Sequence, residues 1–282
     1  MCRRDTQDLL VRRFLDSYSV NLLAMPGRRV GCGSVYVKAG SRISAPGHLS
    51  DIVEPPISLP QPFHEDDLAD LSGVWSDSVS MNVGLGLLDN YLAALGAAGL
   101  VDSLQASFER TGARHVAFRF NRVSRDSISP TGLGRALVDR RFTTGNPWVS
   151  AGNSYYVVGA VLRSSSMSIQ ARDDSGASIG LGAGFATVAD ANVKVAVRQE
   201  GSSEVSFTGS TPLAIAVELY ELRWDAEQAE FGFRTSKGPL RLQGLDEDAP
   251  PEPVFATDEA LIVVEEPDPR AGTDVAAHVA RS

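Results

Sequence analysis

The strongest constraint on what this chain can fold into is the run of residues 155–224, where apolar and polar side chains alternate in segment after segment, with turn-forming residues between them. In residues 166–172, Met167, Ile169 and Ala171 fall on one face while Ser168, Gln170 and Arg172 fall on the other, the two-residue period of a half-buried strand. Asp173-Asp174-Ser175-Gly176 then supplies a turn. Residues 192–198 repeat the alternation, 199–203 turn the chain, and 204–208 resume it, giving long amphipathic hairpins. Residues 213–222 differ: Leu213, Ile215, Val217 and Leu219 are backed by Ala214 and Ala216, as expected of a central strand buried on both faces. A strand with one greasy and one wet face can cover a core in water, or line a barrel with lipid outside and water inside. Alternation alone does not choose between the two.

The flanking segments add helices to this sheet. Residues 20–26 read as a strand closed by Pro26, and 34–38 as another following the glycine-rich turn 31–33. Residues 46–70, rich in proline and acid, read as irregular with a short strand around Ile52 and Val53. The period then changes: 78–83 alternate like a strand, whereas Leu85, Leu88, Leu92 and Leu95 form one stripe of a helix running to about Gly96, loosened by its glycines and alanines. Residues 103–109 and 115–123 return to alternation, and Pro130 opens a helix through Leu137. Near the start, Leu9, Leu10 and Phe14 share the face of a short amphipathic helix. The architecture expected is α+β, a mainly antiparallel central sheet with peripheral helices.

Charge separates the two ends of the chain. The net charge is −9, yet ten acidic and two basic residues lie in 244–282, leaving 25 acidic and 24 basic residues in a nearly neutral body. Such a chain lacks the basic footprint of a nucleic-acid binder. Two cysteines, Cys2 and Cys32, make no disulfide framework, and no signal peptide opens the chain, which points to a reducing, cytoplasmic setting. No run approaches the ~18 to 20 apolar residues of a transmembrane helix, so hydropathy reads as soluble, although hydropathy is nearly blind to barrel strands. Residues 236–253 have the composition of an exposed linker. Beyond it, Val254, Phe255 and residues 260–264 form an apolar patch too small to fold alone, which must dock on the body. The divisions expected are a body over 1–235, a linker over 236–253 and a docking tail over 254–282.

Motifs for chemistry are sparse. None of His48, His64, His115 and His278 stands with a serine or cysteine in a nucleophile motif. His64-Glu65-Asp66-Asp67 with Asp70 contains metal-ligating residue types, but a solvated acidic loop accounts for them better. Gly84-Leu85-Gly86 and Gly180-Leu181-Gly182-Ala183-Gly184 complete no phosphate-binding fingerprint between a strand and a helix. The reading is of a protein with no catalytic residue, no metal and no cofactor, hence not an enzyme.

A family resemblance sharpens this. Residues 18–26, Tyr-Ser-Val-Asn-Leu-Leu-Ala-Met-Pro, are similar to the opening strand of bacterial gasdermins, and Cys2 resembles their near-terminal cysteine. The resemblance continues through Val83-Gly84-Leu85-Gly86-Leu87-Leu88 at a helix entry, Val116-Ala117-Phe118-Arg119-Phe120, residues 161–169, and the Phe207-Thr208-Gly209-Ser210-Thr211-Pro212-Leu213 step. It covers roughly residues 2–233. What it implies is a twisted sheet of the gasdermin N-domain kind, capped by a short C-terminal inhibitory peptide and monomeric while capped. A partner protease then cleaves the chain during antiphage defence, and the freed body self-assembles with membrane lipids into pores in the inner membrane, killing the host cell. The resemblance also implies a covalent fatty acyl group on Cys2.

Physical reasoning places the remaining expectations. Crossing a bilayer takes ~9 to 11 alternating residues; residues 71–123 and 155–208 hold strand pairs joined by loose Gly/Ala/Ser-rich segments that could lengthen into hairpins. A protease needs extended, accessible backbone, which the linker offers. Within it, Arg241 suits a trypsin-like enzyme and Asp246 or Asp248 a caspase-like one, with Leu242 and Leu245 in the same favoured stretch of 240–248, whereas Pro250 and Pro251 make a poor substrate. Phe255, Leu261, Ile262 and Val263 are the expected autoinhibitory contacts. The rival reading is a soluble sheet-based binding module whose acidic tail docks a partner.

Overall fold

The computed structural model of the chain describes residues 20–27, 29–39, 42–68, 79–97, 100–143, 146, 148–149, 153–180, 195–200, 203–225, 230–235 and 261–262. Its centre is an 11-stranded sheet built around two long strands, β9 (Ser154–Arg172) and β11 (Glu204–Asp225), of 19 and 22 residues. They pair antiparallel from Glu204↔Gln170 to Leu222↔Tyr155. The two sequence segments read separately as 204–208 and 213–222 are therefore one strand. The register shift between Thr208 and Leu213 bends it, and a bulge of this kind increases local twist.

The other edge of β9 carries β2 (Ser34–Ala39) and β7 (His115–Ser127), and β3 (Arg42–His48) follows β2. The other edge of β11 is shared by three shorter strands: β10 (Val195–Glu200), β1 (Asn21–Gly27) and β12 (Glu230–Thr235). β5 (Phe63–Glu65) and β6 (Val79–Ser80) pair with β7, and β13 (Leu261–Ile262) pairs with β1. A separate two-stranded piece joins β4 (Val53–Glu54) to β8 (Arg141–Phe142). Apart from the β1–β13 contact, every pairing among the described residues is antiparallel.

Among the described residues four helices flank the sheet: α1 (Leu49–Ile52), α2 (Met81–Leu95), α3 (Leu100–Thr111) and α4 (Pro130–Leu137). The expected stripe of α2 is fully used, with Leu85, Leu88, Leu92 and Leu95 all buried. α4 begins at the expected proline, Ser129 capping it by accepting from the Gly132 amide at 3.2 Å.

Three expectations are revised. Residues 103–109 are helix, not strand: Leu104 and Phe108 fit either period, but Val101 and Ser107 complete the helical face and Ala106 is exposed. Of the expected strand 78–83, Ser78 lies outside the described residues, and of 79–83 only Val79–Ser80 pair as strand, α2 starting at Met81. The stretch 46–70 is more ordered than its composition suggested, holding the end of β3, α1, β4 and β5. The expected helix around Leu9 to Phe14 lies outside the described residues.

Burial falls into three apolar clusters. The largest sits between α2 and α3 and one face of the sheet, joining Leu88, Leu92, Leu104 and Phe108 to Val116, Phe118, Met167, Ile169, Val205 and Phe207. A second packs α1 and α4 against β2 and the start of β9. The third, with Tyr36, Val158, Val161, Val217 and Leu219, occupies the opposite face of the central strands.

Candidate functional site

With no catalytic constellation among the described residues, the part with the clearest physical specialisation is the patch β7–β9–β11–β10, in that spatial order. Its registers align residue types in rows. Phe118, Ile169 and Val205 lie across one row, and Phe120, Met167, Phe207 and Val197 across the next, all pointing to the helix side. The alternate rows are polar: Arg119, Ser168, Ser206 and Arg198 in one, Asn121, Ser166 and Thr208 in the next, which ends on the small apolar Ala196.

These polar side chains satisfy one another. Asn121 Nδ2 donates to Ser168 Oγ at 3.0 Å, Ser168 and Ser206 share a hydroxyl bond at 2.7 Å, and Thr208 Oγ1 donates to Ser166 Oγ at 3.1 Å. The Arg119 guanidinium pairs with the Glu204 carboxylate across two strand spacings. Ser168 is fully buried and Ser206 is 6% exposed, so the ladder carries its hydrogen bonds internally. The opposite face is apolar and covered by α2 and α3. Gly209 lets the end of α2 approach, since a side chain there would collide with Leu95. No helix among the described residues is long and apolar enough to cross a membrane, a statement that leaves strands untouched.

The second specialised region is the β1 margin. β13 adds to β1 in parallel, Leu22 opposite Leu261 and Leu23 opposite Ile262. β1 itself holds β11 through Asn21↔Val217, Leu22↔Ala216 and Gly27↔Ala214, with the register broken between Leu22 and Gly27. An apolar cleft bordered by Leu22, Pro26, Leu87, Tyr91, Phe120 and Ile215 lies between β1 and α2. Asn21 is fully buried, and among the described residues neither its side-chain oxygen nor its nitrogen has a hydrogen-bond partner.

Of the residues singled out in the sequence, Leu261 and Ile262 are therefore placed, as a strand on β1. Cys2, Arg241, Leu242, Leu245, Asp246, Asp248, Phe255 and Val263 lie outside the described residues. The acidic loop around His64 is an ion-pair node. His64 Nδ1 lies 2.6 Å from Asp126 Oδ1 and Nε2 2.9 Å from Asp66 Oδ1, while Asp126 also accepts from Arg163 Nε at 3.2 Å. Hydrogen bonds to Asp126 and Asp66 raise the His64 pKa. Burial pushes Asp126 up, but the bonds from His64 and Arg163 outweigh it and hold the carboxyl below its ordinary value. Glu65 faces Arg125 instead, at 3.8 Å, and among the described residues no group of three or more His, Cys, Asp or Glu is arranged to hold a metal ion.

Cys32 donates weakly to the carbonyls of Asp126 and Gly159, and burial pushes its thiol up to about 11, which makes it unreactive. The polar ladder, Asp126 and Arg163 escaped the sequence reading because their partners are 37 to 85 residues away in the chain. Only the strand register brings them together.

Comparison with known proteins agrees with this architecture. The profile of the Bacterial Gasdermin Family matches residues 23–235. The chain is 26% identical over 176 residues to Gasdermin bGSDM of Vitiosangium sp. (strain GDMCC 1.1324), a match spanning 61% of this chain and 64% of that protein, just under two thirds of its length. It is 26% identical over 225 residues to Gasdermin bGSDM of Lysobacter enzymogenes, covering 74% of this chain and 78% of that protein. A solved bacterial gasdermin from Bradyrhizobium tropiciagri superimposes with a TM-score of 0.61 at 16% identity, over 82% of this chain and 92% of the other; at that identity the likeness is one of fold. The amphipathic patch, the helices over its apolar face and the matched profile lead to one conclusion: the chain belongs to the bacterial gasdermin family.

Proposed function

We infer that this chain is a pore-forming protein of antiphage defence, held inactive by its C-terminal peptide and released by proteolysis. The observation that carries the reading is the β7–β9–β11–β10 patch, whose two faces already have the chemistry of a barrel wall. The polar face keeps its hydrogen bonds within the sheet and suits a water-filled lumen. The apolar face exchanges α2 and α3 for acyl chains, one greasy partner for another. Backbone bonds between neighbouring strands survive the exchange, as the bilayer interior requires.

The tail is the lock. Its β13 strand on β1 supports this role for Leu261 and Ile262, with Phe255 and Val263 as the flanking apolar contacts. Cleavage falls in 236–253, favoured over 240–248. Arg241 is the point of attack for a trypsin-like protease and Asp246 or Asp248 for a caspase-like one, with Leu242 and Leu245 as neighbouring candidates. The family profile ending at residue 235 fits a body that stops before this linker. A cut after Arg241 also removes a segment of net charge −8, and one after Asp248 a segment of net charge −5, and with it repulsion from anionic headgroups. The capped chain is cytoplasmic and monomeric; the cut body assembles in the inner membrane. An acyl group on Cys2, aided by Arg3 and Arg4, strengthens membrane attachment.

The test is dye release from anionic liposomes by the full chain and by the same chain cut within 236–253. Release by the cut form alone supports the proposal. Release by neither form, with the cut body still folded, favours a binding module whose tail docks a partner.

A further inference from the structure

Residues 55–68 run as a strap over one end of the outer edge of β7. Within it β5 pairs Phe63↔Ser127, His64↔Asp126 and Glu65↔Arg125, and the Leu68 amide donates to the Val123 carbonyl at 2.9 Å. The ends of the strap are held by apolar packing, Ile57 and Leu59 against the second cluster and Leu68 against the largest. Its middle is not: Phe63 is 66% exposed, and Gln61, Pro62, His64, Asp66 and Asp67 are exposed as well. Backbone pairs and polar side chains therefore seat β5 on β7. The Glu65–Arg125 contact is long, at 3.8 Å, which leaves His64 as the side chain that closes the strap.

The geometry at His64 admits one protonation state. Nδ1 lies 2.6 Å from Asp126 Oδ1 and Nε2 2.9 Å from Asp66 Oδ1, and a carboxylate only accepts, so both bonds exist together only when both ring nitrogens carry hydrogen. A neutral ring keeps one bond and turns a lone pair toward the other carboxylate. Arg163 on β9 bonds the second oxygen of Asp126 and keeps that carboxyl ionised, so the proton that leaves is the one on His64. The remaining charges nearby are engaged elsewhere: Glu65 on β5 faces Arg125 on β7, which also bonds Glu218 on β11. We propose that His64 is a proton-operated clasp, which when charged pins the strap to the edge of β7 and slows pore assembly, and when neutral lets the strap lift. This rests on the pore reading, since a seated strap keeps 123–127 of β7 from pairing with a neighbouring copy. Hydrogen bonds to the two carboxylates raise the folded pKa, so the clasp is complete below about 6.5 and opens as pH rises through the folded value.

Hydrogen–deuterium exchange of the full chain reads the clasp, expressed as protection relative to unstructured peptide so that the intrinsic pH dependence of exchange cancels. From about pH 5.5 to about pH 8.5, protection of 61–68 falls by about two- to fivefold, the range an exposed charged pair supplies, while β9 peptides keep theirs. His64→Gln is low and flat across this range. His64→Arg, whose forked guanidinium is charged throughout and can hold both carboxylates, stays high. The pore readout is dye release by the chain cut within 236–253, taken as the ratio of variant to wild type on the same liposomes so that lipid titration cancels. At the acid end His64→Gln releases about two- to fivefold faster than wild type, and at the alkaline end the two match. Protection of 61–68 that changes equally with pH in wild type and His64→Gln, or a release ratio that is the same at both ends, overturns the proposal. A pH-dependent clasp seen in exchange, with no dye release by any cut chain, supports the clasp and removes the pore reading instead.

Discussion

If α2 is a cover that gives way to lipid, then loosening it should destabilise the closed protein and speed pore formation together. Leu92 lies in the last turn of α2, fully buried among the residues of the largest cluster. Leu92→Ala removes its apolar contacts and leaves a cavity, which costs about 2 to 5 kcal/mol. For a body of this size each kcal/mol lowers the melting temperature by about 2 to 4 °C, so the fall should be roughly 4 to 20 °C. In the pore the same side chain no longer supports the strands. A loss of about 2 kcal/mol borne wholly by the closed state therefore raises the rate of opening by about thirtyfold. Leu133→Ala is the control: it is equally buried, but on α4 in the second cluster, which has no part in covering the patch. The assay is thermal unfolding of the full chain beside dye-release rates of the cut chain. Faster release by Leu92→Ala than by Leu133→Ala at matched loss of stability is the expected result. Equal rates would refute the idea that α2 must lift.

Ser168→Ala should orphan Asn121 Nδ2 and the Ser206 hydroxyl inside the sheet, costing about 1 to 3 kcal/mol, readable as a lower denaturant midpoint at unchanged slope. His64 should titrate above its ordinary 6.5 by nuclear magnetic resonance. Because its folded pKa is raised, its stabilisation is complete below about 6.5 and lost as pH rises through the folded value, so the melting-temperature difference between wild type and His64→Gln should shrink across that window. Replacing Phe255, Leu261 and Val263 together by Asp should give leakage or toxicity without any cut, since burying each such side chain is worth about 1.5 to 3 kcal/mol; a harmless monomer would place the lock elsewhere. Cys2→Ala should weaken killing with the fold intact, and intact-mass measurement of membrane-expressed protein should show an acyl adduct on Cys2 in the wild type.

The sheet was legible wherever one face of a strand is polar and the other apolar. Met167, Ile169 and Ala171 against Ser168, Gln170 and Arg172 gave face and strand together, as did the row of Val116, Phe118 and Phe120. Pro130 and the leucine stripe of α2 located two helices for equally local reasons. The failures have a common origin. Residues 103–109 satisfy both periods, and only the packing of Val101 and Ser107 decides for helix. Joining 204–208 to 213–222 as one strand depends on β9 running alongside both, which no local pattern encodes. The polar ladder, the Asp126 node and the division of the β11 edge are likewise products of register, and register is a long-range property.

The division of labour between the two faces explains how one sequence can serve two environments. A sheet that relied on its polar face to hold the folded state would have to break those bonds to open. Here Asn121, Ser168 and Ser206 bond among the very strands that would travel together, so their bonds cost nothing on transfer. On the proposed function, what changes is the partner of the apolar rows, helix for lipid, an exchange between surfaces of similar polarity with little free energy of its own. The barrier therefore lies at the margins. Backbone groups on the outer edges of β7 and β10 find no water in a bilayer, so a single copy cannot insert stably, and neighbouring copies must pair those edges into an arc or ring. If the tail strand is the proposed lock, its seat on the sheet margin at β1, far smaller than the patch it would govern, would then be sufficient.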